Sequence, residues 1–99
     1  MKTEHTQGPW QVHYSHANKN LASVTDRNRE PIAPCVGENA EANARLIAAA
    51  PELLEALRAT RSNLYAALVA MTETEKTAPK AWAAMESAYL AISKAEGNA

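Results

Sequence analysis

Asn39-Ala40-Glu41-Ala42-Asn43-Ala44-Arg45-Leu46-Ile47-Ala48-Ala49-Ala50-Pro51-Glu52-Leu53-Leu54-Glu55-Ala56-Leu57 is an alanine- and leucine-rich run with a proline set in its middle. Asn39 stands where a side-chain oxygen can cap a helix that begins at Ala40. Glu41 falls in the first turn, where the helix dipole favours a carboxylate, and faces Arg45 one turn on. Pro51 has no N–H for the carbonyl four residues back and its ring crowds that carbonyl. The helix is therefore expected to break near Ala50, with Pro51 opening a second segment. That segment is long, because Leu54, Leu57, Leu64, Leu68 and Met71 recur at helical spacing with Arg61 as the interruption. An arginine inside an apolar stripe needs a partner or an exit to water.

Upstream of this run the pattern changes from helical to alternating. Met1 to Gln7 is polar without a period and reads as a loose arm. From Gly8, the residues Trp10, Val12 and Tyr14 alternate with Gln11 and His13, as in a half-buried strand. Ser15 to Asn20 is rich in turn formers and predicts a hairpin loop. Leu21 to Thr25 is a second strand, Asp26 to Arg29 a second turn, and Ile32 to Val36 a third strand. Pro31 and Pro34 lack ladder donors, so the third strand is expected to be short and at an edge. Asn39 to Ala95 is helical throughout apart from one link. Thr72 to Thr77 is polar, Thr77 and Pro79 mark a new helix start, and Trp82, Met85, Tyr89 and Ile92 line one face of that helix down to a stop at Gly97. Two amphipathic helices on a short link predict an antiparallel hairpin, with alanines letting the helices approach closely. The expected fold class is α+β within a single domain over 1–99: an arm over 1–7, a three-stranded antiparallel meander over 8–37, and a proline-broken helix with a helical hairpin over 39–95.

The length of 99 residues allows one modest core, and with no phenylalanine and many alanines each apolar residue contributes little buried area. Self-association is the expected way to bury more, so a homo-oligomer is anticipated. The formal net charge of -1 argues against a strong nonspecific grip on nucleic acid or an anionic membrane. One cysteine, Cys35, excludes an internal disulfide and a thiolate zinc cluster. No apolar run reaches membrane-spanning length and no secretion signal opens the chain, so the expected location is the cytoplasm.

The segment Asn43-Ala44-Arg45-Leu46-Ile47-Ala48-Ala49-Ala50-Pro51-Glu52-Leu53-Leu54-Glu55-Ala56-Leu57, with Gly8-Pro9-Trp10 and Val12 upstream, resembles a widespread group of small tailed-phage and prophage proteins. The resemblance spans roughly the first three-fifths of the chain, and the run after Leu57 adds nothing to it. Small phage accessory proteins of this kind include inhibitors of bacterial immunity, among them anti-CRISPR proteins and oligomeric sponges that sequester nucleotide immune signals. The resemblance thus implies an anti-defence protein acting in the infected bacterial host cell.

No residue pattern calls for a catalyst, a cofactor or a metal. His13 on a strand and His16 in a turn are not spaced to converge with His5 or Cys35 on one ion. Cys35 has no base beside it in the sequence, and Glu52 and Glu55 read as first-turn and pairing residues rather than an acid/base couple. The residues singled out for ligand or partner binding are Asn39, Asn43, Arg45, Arg58 and Arg61, with Trp10 and Tyr14. Guanidinium forks grip phosphate or carboxylate, helix-start donors meet anions, and aromatic faces stack on bases. The competing expectation pairs Arg45 with Glu41 and Arg58 with Glu55 and packs both aromatics against the helices. Two functional expectations follow. The first is a non-catalytic phage accessory protein that captures a nucleotide signal or occludes a defence protein. The second is a structural or regulatory phage protein in DNA metabolism or transcription, which the lack of a basic balance lowers.

Overall fold

A computed structural model of the chain describes residues 4–97. Three strands are followed by three helices: β1 (Gln11–Tyr14), β2 (Leu21–Thr25), β3 (Pro31–Val36), α1 (Ala40–Ala48), α2 (Ala50–Ala70) and α3 (Pro79–Ala95). The chain gathers into two compact units, one of Thr6–Leu53 and one that takes up the chain from Leu54. The first part of the expected N-terminal arm, residues 1–3, lies outside the described residues, and residues 4–7 carry no regular structure.

In the first unit the sheet is an antiparallel meander in the order β1-β2-β3. Val12 faces Val24 and Tyr14 faces Ala22 across β1 and β2, while Ala33 faces Val24 and Cys35 faces Ala22 across β2 and β3. Because side chains alternate along a strand, this register gathers Val12, Ala22, Val24, Ala33 and Cys35 on one face. Helix α1 covers that face. Its Ala40, Ala44 and Ala48 recur every four residues, so they form one buried stripe, and they pack with Ala22, Val24 and Cys35 into a core on which Trp10, Val12, Ile32 and Ile47 also close. Val24 is wholly buried at the centre. The polar turn after β2 is organised by Asp26, whose Oδ1 accepts the backbone N–H of Asn28 at 2.8 Å and of Glu30 at 2.9 Å.

Two local expectations are corrected here. The third strand is at an edge, yet at six residues it is the longest of the three. Its prolines are accommodated because an edge strand has one row of donors that needs no ladder partner, and the register shifts between Val24 and Thr25. Asn39 occupies the N-cap position of α1 without a side-chain cap bond. Its backbone carbonyl instead accepts the Asn43 N–H at 2.9 Å, and the Gly37 carbonyl accepts that of Ala40 at 3.1 Å. The expected start of the last helix is met, with Thr77 just before it. Ala78 is the N-cap and Pro79 opens the helix. The Thr77 hydroxyl accepts the Thr74 N–H at 2.8 Å and so closes the preceding turn.

The break at the proline is as expected. Helix α1 ends with Ala49 as its C-cap and α2 starts at Ala50, with Pro51 in its first turn, where the missing N–H leaves no helical bond unmade. In the second unit α2 and α3 form the antiparallel hairpin, and cross-helix contacts run in opposite order along the two helices: Arg58 to Glu96, Arg61 to Tyr89, Tyr65 to Trp82. Leu54, Leu57, Arg61 and Leu64 are half-buried and Leu68 is buried, matching the sequence stripe, with Met85 and Ile92 buried on α3. Met71, expected to extend the stripe, is 64% exposed. It lies past the end of α2, where no facing helix remains to cover it. The alanines play a smaller part than expected: Ala81 and Ala88 are half-buried, but Ala84 and Ala91 are exposed, and long side chains bridge the helices. No helix among the described residues is long and apolar enough to cross a membrane.

Candidate anion-binding cleft on the helical hairpin

Helical spacing puts Arg58, Arg61, Ser62 and Tyr65 along one flank of α2, since residues three and four apart are neighbours on the surface. The same rule aligns Trp82, Tyr89, Ser93 and Glu96 along α3. The two rows meet along one side of the hairpin. The Arg61 guanidinium carbon lies 5.0 Å from the centre of the Tyr89 ring, a cation–π contact. The Tyr65 and Trp82 rings meet edge to face at 6.2 Å with 82° between planes, an arrangement their quadrupoles favour. Arg58 Nη2 donates to Glu96 Oε2 in an ion pair whose side chains remain 44% and 31% exposed.

Two hollows open on either side of the Arg61–Tyr89 contact. One, of about 380 Å³, is lined by Arg58, Arg61, Ser62, Tyr89, Ile92, Ser93 and Glu96. The other, of about 330 Å³, is lined by Arg61, Glu75, Trp82, Met85, Glu86 and Tyr89. The first holds two guanidinium groups against one carboxylate, two serine hydroxyls and the Tyr89 phenol. The second holds one guanidinium against two carboxylates. Arg61 is common to both, and its Nε, like the Trp82 Nε1, is buried without a hydrogen-bond partner. A guanidinium has five donors and cannot lose its charge in a protein, so Arg61 brings a fixed positive charge to both hollows. The chemistry available in the first hollow is therefore recognition of a phosphate or carboxylate by guanidinium forks and serine hydroxyls, with the half-exposed Tyr89 ring as an apolar wall.

Of the residues singled out in the sequence, Arg58 and Arg61 come together here. Asn39, Asn43 and Arg45 belong to the other unit and are exposed on α1. Arg58 pairs with Glu96 rather than Glu55, and among the described residues Arg45 makes no ion pair with Glu41. Trp10 is half-buried against the α1–sheet core and its indole N–H donates to the Thr6 carbonyl at 3.2 Å. Tyr14, at the end of β1, is 46% exposed. His13 bonds Thr25 Oγ1 through Nε2 at 2.9 Å, Cys35 is free and buried, and no cluster of His, Cys, Asp or Glu suited to a metal ion occurs among the described residues.

Sequence reasoning missed Tyr89, Ser93 and Glu96 as cleft residues. Tyr89 sits inside the apolar pattern of α3 and reads there as core. Glu96 carried a signal, since a carboxylate in the last turn of a helix opposes the dipole and asks for a compensating cation.

A family model described as Salmonella phage P22 protein Y8K6 matches residues 1–99, so the likeness to phage proteins extends beyond the first three-fifths to the whole helical hairpin. No curated protein and no solved structure matches the chain. The hairpin that carries the cleft is thus part of the family's pattern, and the chain belongs to the family of Salmonella phage P22 protein Y8K6.

Proposed function

We propose that this phage protein is a non-catalytic binder that counters bacterial defence in the cytoplasm of the infected cell, and that it does so by capturing a phosphate-bearing immune signal. The observation that supports the reading is the pairing of Arg58 and Arg61 with Ser62 and Ser93 around one hollow of about 380 Å³ walled by Tyr89. That size is at the small end of ligand pockets and suits a nucleotide-scale molecule or part of one. Arginine forks bind phosphate oxygens bidentately, and the tyrosine face accepts a base or sugar without demanding its identity. The first test is titration calorimetry of the whole chain against cyclic dinucleotides and ADP-ribose-type nucleotides. Saturable heat that is lost in Arg61→Ala supports capture, and silence across the whole panel sinks it.

A second reading, occlusion of a defence protein, is favoured by the row of Arg61, Tyr65, Trp82 and Tyr89 on one flank, since arginine, tyrosine and tryptophan dominate the centres of protein interfaces. It predicts that the chain retains a defence component on an affinity column and helps phage infect a defended host. Neither effect should survive a Tyr65→Glu substitution placed at the middle of that row.

A further inference from the structure

Glu96 is the C-cap of α3, where the free carbonyls of the last turn make a negative side chain unfavourable. Its carboxylate pairs with the Arg58 guanidinium across the hairpin. Arg58 and Glu96 both line the hollow with Arg61. A carboxylate on an arginine inside an anion-binding hollow occupies the place that a ligand anion would take, because carboxylate and phosphate present the same acceptor geometry to the guanidinium fork. The pair is partly exposed on both sides, so exchange of one anion for another needs no unfolding.

We propose that Glu96 is a built-in competitor and specificity-determining residue: it holds Arg58 until a phosphate-bearing ligand displaces it, so that the cleft responds to highly charged phosphates and ignores weak monoanions. This rests on the reading of the cleft as a phosphate site. With Glu96 in place the hollow has two positive groups against one negative. Once the carboxylate swings out, both guanidinium groups are released to the ligand. A ligand bearing a single diffuse charge gains little by replacing a tethered carboxylate, whose effective concentration is high. A polyphosphate or a double phosphodiester gains a second charge-assisted contact.

The experiment is calorimetry of the full chain with inorganic pyrophosphate, inorganic phosphate and acetate at fixed ionic strength, for the wild type, Glu96→Gln, Glu96→Asp, Arg58→Gln and the Arg58→Gln/Glu96→Gln double variant. Far-UV circular dichroism confirms that α3 is retained in each. Neutralising Glu96 removes a charge the helix end disfavours, so the fold is expected to hold, and Glu96→Asp supplies a competitor of unchanged charge. The expected result is pyrophosphate binding to the wild type, tightened on the order of tenfold in Glu96→Gln, as Arg58 no longer has to be taken from a tethered carboxylate. Inorganic phosphate and acetate gain measurable binding in Glu96→Gln, and Glu96→Asp stays close to wild type. In the Arg58→Gln background the Glu96→Gln gain shrinks, because no guanidinium is left for the carboxylate to hold. Wild-type binding of pyrophosphate with no gain in Glu96→Gln, or a gain equally large without Arg58, overturns the competitor role and leaves the cleft standing. Failure of wild type and Glu96→Gln alike to bind pyrophosphate overturns the cleft together with the competitor.

Discussion

At the scale of single residues, the two separated pieces of the phage-like pattern meet. A Cβ on Gly8 would lie 2.9 Å from Cβ and 3.2 Å from Cγ of Pro51, and 3.7 Å from Oε1 of Glu52. The glycine of Gly-Pro-Trp is thus the surface on which the proline of Ala-Pro-Glu rests, and the ring that breaks the helix also anchors the chain entering β1. A pyrrolidine ring cannot swing aside as a long side chain can. Gly8→Ala is therefore expected to destabilise the first unit by about 1–3 kcal/mol, the usual cost of forcing a methyl into a filled contact. A lowered midpoint in chemical denaturation checks it, and an unchanged midpoint would show that the backbone yields there. This contact was not legible in the sequence, because Gly8 and Pro51 are joined by tertiary packing and neither has a local need for the other. Arg61, by contrast, was legible. A lone charge in a leucine stripe needed a partner or an exit to water, and Arg61 meets the Tyr89 ring.

At the scale of elements, helix α1 illustrates how alanine decides packing distance. Ala40 and Ala44 are wholly buried and Ala48 nearly so, and each meets a sheet face built from Ala22, Val24 and Cys35. Small residues on both layers let the helix axis settle close to the strands, so the core is thin and has no slack. Ala44→Leu is expected to cost about 1–3 kcal/mol despite leucine's good helix propensity, because three extra carbons have nowhere to go. Ala42→Leu on the exposed side of the same helix is the control and should change stability little. Denaturation midpoints of the two variants separate packing from propensity. The period-two and period-3.6 patterns made the three strands, the proline break and the hairpin readable. The helix starts were less so, since at Asn39 and Thr77 a residue able to cap is present while backbone carbonyls and a neighbouring turn use the available bonds.

At the scale of the whole molecule, the division into two units falls between Leu53 and Leu54, inside the continuous helix α2. No change of composition, glycine or polar linker marks that place, so the sequence reads there as one uninterrupted element. The half of the candidate site that was legible, Arg58 and Arg61, lies in the second unit, whereas Asn39, Asn43, Arg45, Trp10 and Tyr14 lie in the first. Helical spacing brought Arg58 and Arg61 together, whereas Trp10 packs against the first core.

The second unit buries Leu68, Met85 and Ile92, while Tyr65, Val69, Met71, Tyr89 and Leu90 are between 50% and 64% exposed. Isolated helices depend on burying an apolar face against a neighbour, and a core of so few side chains is small for a folded unit of this length. Val69, Met71 and Leu90 lie outside the lining of both hollows, and the occupant proposed for them is a second copy, with two hairpins completing a helical bundle. Light scattering on the eluting peak should then give a mass above the 10.7 kDa of one chain, rising with loading concentration. Val69→Glu and Leu90→Glu together place charge on both exposed helix faces outside the cleft lining, so they should lower the mass toward one chain without removing the helical circular dichroism. Their effect on phosphate binding separates two designs: unchanged affinity means each hairpin carries a complete cleft, and loss of affinity together with assembly means the second copy completes it. A wild-type chain that elutes at one-chain mass at every concentration tested would overturn self-association.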